Sequence, residues 1–236
     1  MTNQPLGPDE LAALRALDTP TVCNALELLL PEARVNGFTY EPFFCAFPEL
    51  PPIVGYARTA LVRAMRPSSA EPAEIRRRRL AYYEYVESGG PAPSIAVIQD
   101  LDWNPGFGAF WGEVQTAIHK GLGCLGTITN GSIRDLDAAA KGFQLLAGKV
   151  CPSHAHVHVA DHGTDVNVHG MTVRSGDLVH ADRHGAVVIP HHLAREVPAK
   201  AELMARREKV ILDAAKASGF NFEKLRRAIG EADEIH

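Results

Sequence analysis

The chain has 236 residues, of which 46% are hydrophobic and 22% are charged. This length and composition allow a sizeable buried core and exclude a disordered protein. The formal net charge of −4 gives no general attraction to nucleic acid or to an anionic membrane. The four cysteines contain no CxxC pair, which argues against a zinc knuckle or a disulfide scaffold and favours a reducing compartment.

The N-terminal region carries no targeting pattern, since no basic start is followed by an apolar core. No apolar run approaches the roughly 18 residues that a membrane-spanning helix requires. We therefore expect a soluble, cytoplasmic protein that binds neither nucleic acid nor membrane.

The first part of the chain predicts two helices and then a strand. Helices are expected over residues 8–17 and 20–30, with Thr19 as a candidate N-cap and a proline directly after it. A stretch rich in proline and phenylalanine then leads to a first strand, Tyr56 to Met65, which is rich in Ala, Leu and Val.

A charged helix is expected from Glu71 to Glu87. Its run of four arginines, Arg76 to Arg79, could form an anion site or a solvated helix face. The solvated face is the favoured interpretation, because no aromatic residue or Gly-rich loop accompanies the run.

The central segment alternates between strands and helices. It predicts a strand over Ser94–Gln99, a helix near Gly112–Lys120, a strand near Cys124–Thr129 and a helix from about Arg134. This alternation implies a parallel α/β core.

The segment Lys149 to Pro190 alternates polar and apolar residues between glycine turns, which predicts successive short strands. The segment His191 to Ala228 is expected to be helical with a break at Ser218-Gly219. We predict one α/β domain over residues 1–236, with a core at about 19–190 and C-terminal helices at 191–236.

The letters Gly121-Leu-Gly123-Cys-Leu-Gly126 match the GxGxxG dinucleotide fingerprint. That fingerprint needs a strand before it and a helix after it, whereas here the expected order is reversed. The glycines are better explained by a helix end and a strand start, and the same argument disfavours a methyltransferase.

The run Asn130-Gly-Ser-Ile-Arg134-Asp135 follows a predicted strand, so it places Arg134 and Asp135 at a carboxyl end of the sheet, where α/β proteins commonly bind ligands. Arginine suits a carboxylate or an enolate oxygen, and aspartate suits magnesium. The alternative is that Asp135 only decorates a helix start, with Arg134 as an incidental neighbour. The motif alone leaves both interpretations open.

A second candidate site begins at Gly112, where a predicted helix follows a Gly-rich loop. The free N–H groups of a helix start can bind a substrate carboxylate. Glu113 could reach the same metal as Asp135, although an acidic residue is also common there for capping reasons. Because the two strand-to-helix turns are adjacent in chain order, they can converge on one crevice.

Three histidines alternate at His154, His156 and His158. On a strand they would face one side, and zinc or iron would suit such ligands. The alternatives to a metal site are an exposed strand face, a substrate-lining role or a subunit interface, each of which explains the same pattern.

Two blocks resemble a known family. The segment Gly123 to Asp135 resembles the GxxGxVxxGxxRD signature of RraA-like proteins, a group that includes 4-hydroxy-4-methyl-2-oxoglutarate and 4-carboxy-4-hydroxy-2-oxoadipate aldolases. The segment Val173 to Pro190 resembles the later V-x-PGD-x-x-x-x-D-x-x-G-V-x-x-P block of the same family. The resemblance covers about Thr19 to Ala215.

The resemblance implies an α/β fold of the swivelling β/β/α type with helical N- and C-terminal extensions. It also implies a homotrimer or a hexamer of two trimers, with active sites between subunits. A glutamate from a neighbouring subunit takes part in the family's aldolases, and Glu208 is the best match for it.

The same resemblance assigns the site residues. Catalysis falls to Arg134 and Asp135, metal binding to Asp135 and Glu113, and substrate binding to Gly112, Glu113, Val114, Gln115 and Arg134. Asn130 departs from the Asp of many members and Glu113 from the Asp of the aldolases, and either change could alter metal geometry or substrate size.

We therefore expect a lyase that depends on Mg²⁺ or Mn²⁺. It would act on a 4-hydroxy-2-oxo dicarboxylic acid by retro-aldol cleavage, or by decarboxylation, through a pyruvate enolate. The alternative is a non-catalytic regulatory protein, like the family members that bind and inhibit ribonuclease E. A third possibility is a hydrolase or oxygenase with its metal at the three histidines.

Overall fold

The computed structural model describes residues 4–30, 34 and 36–236, so residues 1–3, 31–33 and 35 of the predicted domain lie outside the described residues. The helices are α1 (Pro8–Arg15), α2 (Thr19–Leu29), α3 (Pro72–Ser88), α4 (Glu113–Gly121), α5 (Val197–Lys216) and α6 (Phe222–Asp233). The strands are β1 (Phe44–Cys45), β2 (Ile53–Arg63), β3 (Ser94–Asp100), β4 (Ala109–Trp111), β5 (Cys124–Ile133), β6 (Gln144–Val150), β7 (His158–His162), β8 (Val166–Val168), β9 (Met171–Val173), β10 (Leu178–Asp182) and β11 (Gly185–Ile189).

The predicted parallel core is present. Strands β2, β3, β5 and β6 are parallel neighbours, and β4 adds a short parallel pairing to β5. Antiparallel pairings extend this core: β1 pairs with β6, β10 pairs with β2 and β11, and β7 pairs with β2. The result is a mixed, curled half-barrel sheet with helices, which is the fold that the sequence predicted.

The two faces of the sheet are separated by the alternation of side chains along each strand. On β3, Ile95 and Val97 pack with the β8–β9 hairpin, whereas Ala96 and Ile98 pack on the opposite side with Tyr82 of α3. Because both faces are covered, β3 is apolar throughout, as its sequence SIAVIQ indicated.

The terminal helices pack at the β2, β10 and β11 end of the sheet, where they form a third apolar cluster. Asp182 ties them to β10, because its two carboxylate oxygens accept the backbone N–H groups of Thr19 and His184 at 2.9 and 2.8 Å. Burial alone raises the pKa of Asp182, but these hydrogen bonds and the His184 ring lower it below its usual value.

Three local predictions are wrong. Asp18, and not Thr19, is the N-cap of α2, since its side chain accepts the N–H of Thr21. The strand predicted at Cys124–Thr129 continues to Ile133, where pairing to β4 and β6 prolongs it. The helix expected from Arg134 is only a 3-10 turn at Leu136–Ala138.

The helical C-terminus is confirmed, with α5 and α6 on either side of the predicted break. In the described part of the chain, no helix has the length and apolar character needed to cross a membrane.

Candidate functional site

The two predicted turns meet in one cleft. A cavity of about 460 Å³ lies beside the start of α4 and the end of β5. Its lining includes every predicted site residue: Gly112, Glu113, Val114, Gln115, Arg134 and Asp135. The convergence follows from topology, because β4 and β5 are parallel neighbours and both turns leave their carboxyl ends.

Asp135 has a left-handed backbone, with φ of 53°. Few residues other than glycine adopt this conformation, although Asp and Asn tolerate it better than most. The side chain is 40% exposed, and its Oδ2 lies 3.4 Å from Nε of Arg134. A short 3-10 turn follows, with Asp135 as its N-cap, and the Asp135 side chain makes no capping hydrogen bond to it.

Gly112 lets the Asp135 carboxylate approach the start of α4. A Cβ atom at position 112 would lie 2.5 Å from Oδ2 of Asp135 and 3.2 Å from Cγ of Arg134. In the observed arrangement, the N–H of Glu113 donates to that same Oδ2 over 3.4 Å. The missing side chain of Gly112 therefore makes room for the Arg134–Asp135 pair.

Helix α4 is held against α3 by two side-chain hydrogen bonds. The hydroxyl of Tyr83 donates to Oε1 of Gln115 over 3.0 Å, and Tyr82 lies 2.8 Å from Nε2 of His119. Gln115 is thus partly engaged within the protein, whereas Val114 is 67% exposed and faces solvent at the cleft.

His119 is buried and its ring is neutral. Burial lowers its pKa from 6.5 to about 4, although the hydrogen bond to the Gln115 carbonyl opposes this shift. Nδ1 lies 2.7 Å from that carbonyl oxygen, which can only accept, so Nδ1 carries the proton and Nε2 accepts the Tyr82 hydroxyl.

The three alternating histidines do not lie on one strand. Ala155 has φ of 46° and the chain turns there, so β7 begins only at His158. His154 and His158 line the cleft, and their Nδ1 atoms lie 2.8 Å from the carbonyl oxygens of Ala155 and His156 respectively. The three imidazoles therefore do not form the single row that one strand would give.

Asn130 has a structural role. Its Oδ1 accepts the N–H of Asp100 at 2.7 Å, and its Nδ2 donates to the carbonyl of Asp100 at 3.1 Å. This two-way pairing joins the carboxyl ends of β3 and β5. An aspartate could make only the first of these bonds, so the Asn at this position is explained by the sheet.

The sequence interpretation missed Arg79. The arginine run of α3 was expected to be a solvated face, and this holds for Arg77, which is exposed and pairs with Glu74 at 2.7 Å. Arg79 instead lines the cleft together with Ile75, one helical turn earlier. The spacing of four residues between them was the signal that could have revealed this shared face.

Two further predictions concern ligands. Glu208 lies exposed on α5, away from the cleft lining, and its reach to a neighbouring subunit stays a prediction. Among residues 4–30, 34 and 36–236, no group of three or more His, Cys, Asp or Glu side chains could hold a metal. Asp135 and Glu113 are the carboxylate residues of the cleft.

A comparison with protein-family models matches residues 19–188 to the model described as RraA-like, Aldolase/RraA. The chain belongs to the RraA-like family. This match confirms the resemblance seen in the two sequence blocks. The family includes both lyases and RraA-type regulators, so membership leaves the activity open.

Solved structures share the fold. An uncharacterized protein from Pseudomonas syringae pv. tomato is 24% identical, with a TM-score of 0.70 and coverage of 96% of this chain and 97% of that one. Streptomyces coelicolor RraAS2, described as an unusual member of the RNase ES inhibitor RraA family, is 21% identical, with a TM-score of 0.68 and coverage of 88% and 98%.

Among curated proteins, DlpA of Legionella pneumophila is 27% identical over 119 residues. The match covers 49% of this chain but only 19% of DlpA. The chain therefore matches a small part of that relative's length.

Proposed function

We propose that the protein is a divalent-metal-dependent lyase that cleaves a 4-hydroxy-2-oxo dicarboxylic acid and releases pyruvate. The observation that carries this proposal is the left-handed backbone of Asp135 beside Arg134, over the gap left by Gly112. A strained residue at a cleft supports a functional role, because strain of this kind costs about 1–3 kcal/mol and persists where the surroundings require it.

The donor set of the cleft fits a hard cation such as Mg²⁺ or Mn²⁺. Magnesium usually takes one or two protein carboxylates and keeps several waters. Asp135 and Glu113 would hold the ion, since both line the cleft and the hydrogen bond at Asp135 Oδ2 is long. When bound, the cation would supply Lewis acidity at the 2-oxo acid end of the substrate.

Arg134 would bind the 2-oxo acid end and stabilise the charge that develops there. In the retro-aldol step, the 4-hydroxyl group loses its proton, C4 becomes a carbonyl carbon and the C3–C4 bond breaks. The electron pair of that bond forms the enolate of pyruvate, and protonation at C3 completes the product. Asp135 and Glu113 would accept the hydroxyl proton through a water molecule. In oxaloacetate, loss of CO₂ would leave the same enolate.

Arg79 would bind the second carboxylate of a dicarboxylic substrate. It lines the same cleft from α3, and no carboxylate within the described residues lies within ion-pair distance of it. A guanidinium group suits a carboxylate because it offers a planar fork of donors.

The test is a pyruvate-release screen over 4-hydroxy-2-oxo acids and oxaloacetate, with and without Mg²⁺. The wild type should release pyruvate from at least one of them only with the metal. Asp135→Asn keeps the shape and the tolerance for a left-handed backbone but removes the charge, so it should abolish the metal-dependent rate. Arg134→Gln should lower kcat by about 10²–10³-fold, as expected for a lost oxyanion donor.

Asp137→Asn is the matched control, because Asp137 is exposed in the adjacent turn and does not line the cleft. It should keep wild-type activity. If no substrate released pyruvate and a ribonuclease bound tightly to the purified protein, the regulatory alternative would replace the lyase.

A further inference from the structure

A second cavity, of about 560 Å³, lies next to the candidate site. His158 lines both cavities. Three arginines from different elements line the second one: Arg63 at the end of β2, Arg66 in the following loop and Arg78 on α3. The proposed lyase mechanism uses none of them.

The carboxylate of Asp102 fixes the loop that carries Arg66. Its Oδ2 accepts the N–H groups of Ala64 and Met65 at 2.6 and 2.7 Å, and its Oδ1 lies 3.5 Å from Nη1 of Arg63. The Asp102 side chain is only 8% exposed. A buried carboxylate therefore holds the loop in place. A chance cluster of arginines on the surface would not require such a fixed loop.

The lining carries an excess of positive charge. Three guanidinium groups face one lining carboxylate, that of Asp102. Arg78 is also paired with Glu74, but its side chain remains 44% exposed. For Arg66, no ion pair occurs with any residue of the described ranges. An anion of charge −2 would neutralise this excess.

Three further residues of the lining suit an organic anion. Ser68 and Ser69 add hydroxyl groups to the lining. Trp103 follows Asp102 in the chain and is 85% exposed at the same cavity. An exposed tryptophan beside arginines offers a flat apolar surface on which the carbon part of an anionic ligand can pack.

We propose that this cavity is an anion-binding site for a ligand with at least two negative charges, carried on phosphate or carboxylate groups. The site is separate from the Arg134–Asp135 cleft, and it does not depend on the proposed lyase activity.

The experiment is isothermal titration of the full chain with inorganic phosphate and, separately, with citrate at constant ionic strength. At least one of them should bind saturably. Arg66→Gln and Arg78→Gln should each weaken binding by about tenfold or more, because each removes a charge-assisted hydrogen bond. Arg76→Gln is the matched control on the exposed face of α3 and should bind as the wild type does.

The two anions distinguish the ligand source. Binding of phosphate alone would indicate a phosphorylated ligand, and binding of citrate alone would indicate a polycarboxylate. If neither bound saturably, or if Arg66→Gln and Arg78→Gln bound as tightly as the wild type, the proposal would be overturned. Loss of binding in Arg134→Gln without loss in Arg66→Gln would also overturn it, since the anion would then occupy the neighbouring cleft.

Tryptophan fluorescence gives an independent location for the anion. The chain has two tryptophans, and Trp111 is fully buried. An anion in the proposed cavity should change the emission of Trp103, and Trp103→Phe should remove that change. A change that persisted in Trp103→Phe would contradict the proposed location.

Discussion

Gly112 acts at the candidate site through the absence of a side chain. Its φ of −164° is extended and open to any residue, so backbone freedom does not explain the glycine. The lack of space explains the glycine instead, because the Asp135 carboxylate occupies the volume that a Cβ atom would need. A single methyl group at position 112 therefore acts on the carboxylate without disturbing the backbone.

We expect Gly112→Ala to displace the Asp135 carboxylate, because Cβ and Oδ2 cannot remain 2.5 Å apart. Mg²⁺ affinity and pyruvate release should fall at least tenfold while the far-UV circular dichroism stays unchanged. Gly121→Ala at the other end of α4 is the control, since nothing lies within 4 Å of its added Cβ. Equal activity of the two variants would show that the crowding at position 112 has no functional consequence.

Helices α3 and α4 are joined through the buried His119–Tyr82 hydrogen bond. The bond requires the neutral imidazole, whose Nε2 accepts the tyrosine hydroxyl. The imidazole of His119 also lies beside the rings of Trp111, Phe110 and Tyr83. Protonation of His119 would therefore place a charge in an apolar environment. The packing of α4, whose first turn lines the cleft, thus depends on a residue that titrates.

Stability should therefore fall with pH below 6.5. The pKa of His119 is about 4 in the folded chain, so the unfolded chain binds the proton first as the pH falls. The loss should reach about 3 kcal/mol as the pH approaches 4, because each tenfold difference in proton affinity between the two states corresponds to about 1.4 kcal/mol. Urea unfolding of the wild type and of His119→Gln between pH 7 and pH 4 measures this.

The variant should be less stable at pH 7 and should show a shallower loss on acidification. A residual slope is expected, because burial also lowers the pKa of His169 and of His180. Parallel pH profiles for the two proteins would show that His119 is not the titrating group.

At the scale of the whole molecule, the N-terminal helices depend on polar contacts with β10. Asp182 accepts the N–H of Thr19, and His180 lies 3.0 Å from the Thr19 hydroxyl through Nδ1. Nε2 of His180 lies 3.0 Å from the carbonyl oxygen of Leu17, to which it donates. These buried bonds connect residues that are more than 160 positions apart in the sequence.

Asp182→Asn should lower the free energy of unfolding by about 1–3 kcal/mol, because the two N–H groups meet different carboxylate oxygens and the amide replaces one oxygen with an NH₂ group, so a buried donor loses its partner. Chemical denaturation measures the loss, and hydrogen exchange should show faster exchange of the Thr19 amide. Asp165→Asn is the control on an exposed pair with Arg174, where a change of at most about 0.5 kcal/mol is expected. Similar losses in both variants would contradict the anchoring role of Asp182.

Many of the helices and strands, and part of the candidate site, could be predicted from the local sequence. The apolar run of β3, the charged helix α3 and the broken C-terminal helix each follow from periodicity and turn residues over short windows. The two motif blocks predicted the family, which the match over residues 19–188 confirms. They also indicated Arg134 and Asp135, which line one cleft with Gly112 to Gln115. The single-domain assignment, the metal and the oligomeric state stay predictions.

Only the tertiary structure decided the rest, because it depends on contacts between distant residues. Pairing with β4 and β6 carried β5 on to Ile133 and removed the helix expected at Arg134. The turn at Ala155 separated three histidines that alternate in the sequence. Packing of α3 on the sheet brought Arg79 into the cleft, and the Asp100 backbone gave Asn130 its role. Local sequence patterns determine the helices and strands, whereas the packing of those helices and strands determines which side chains come into contact.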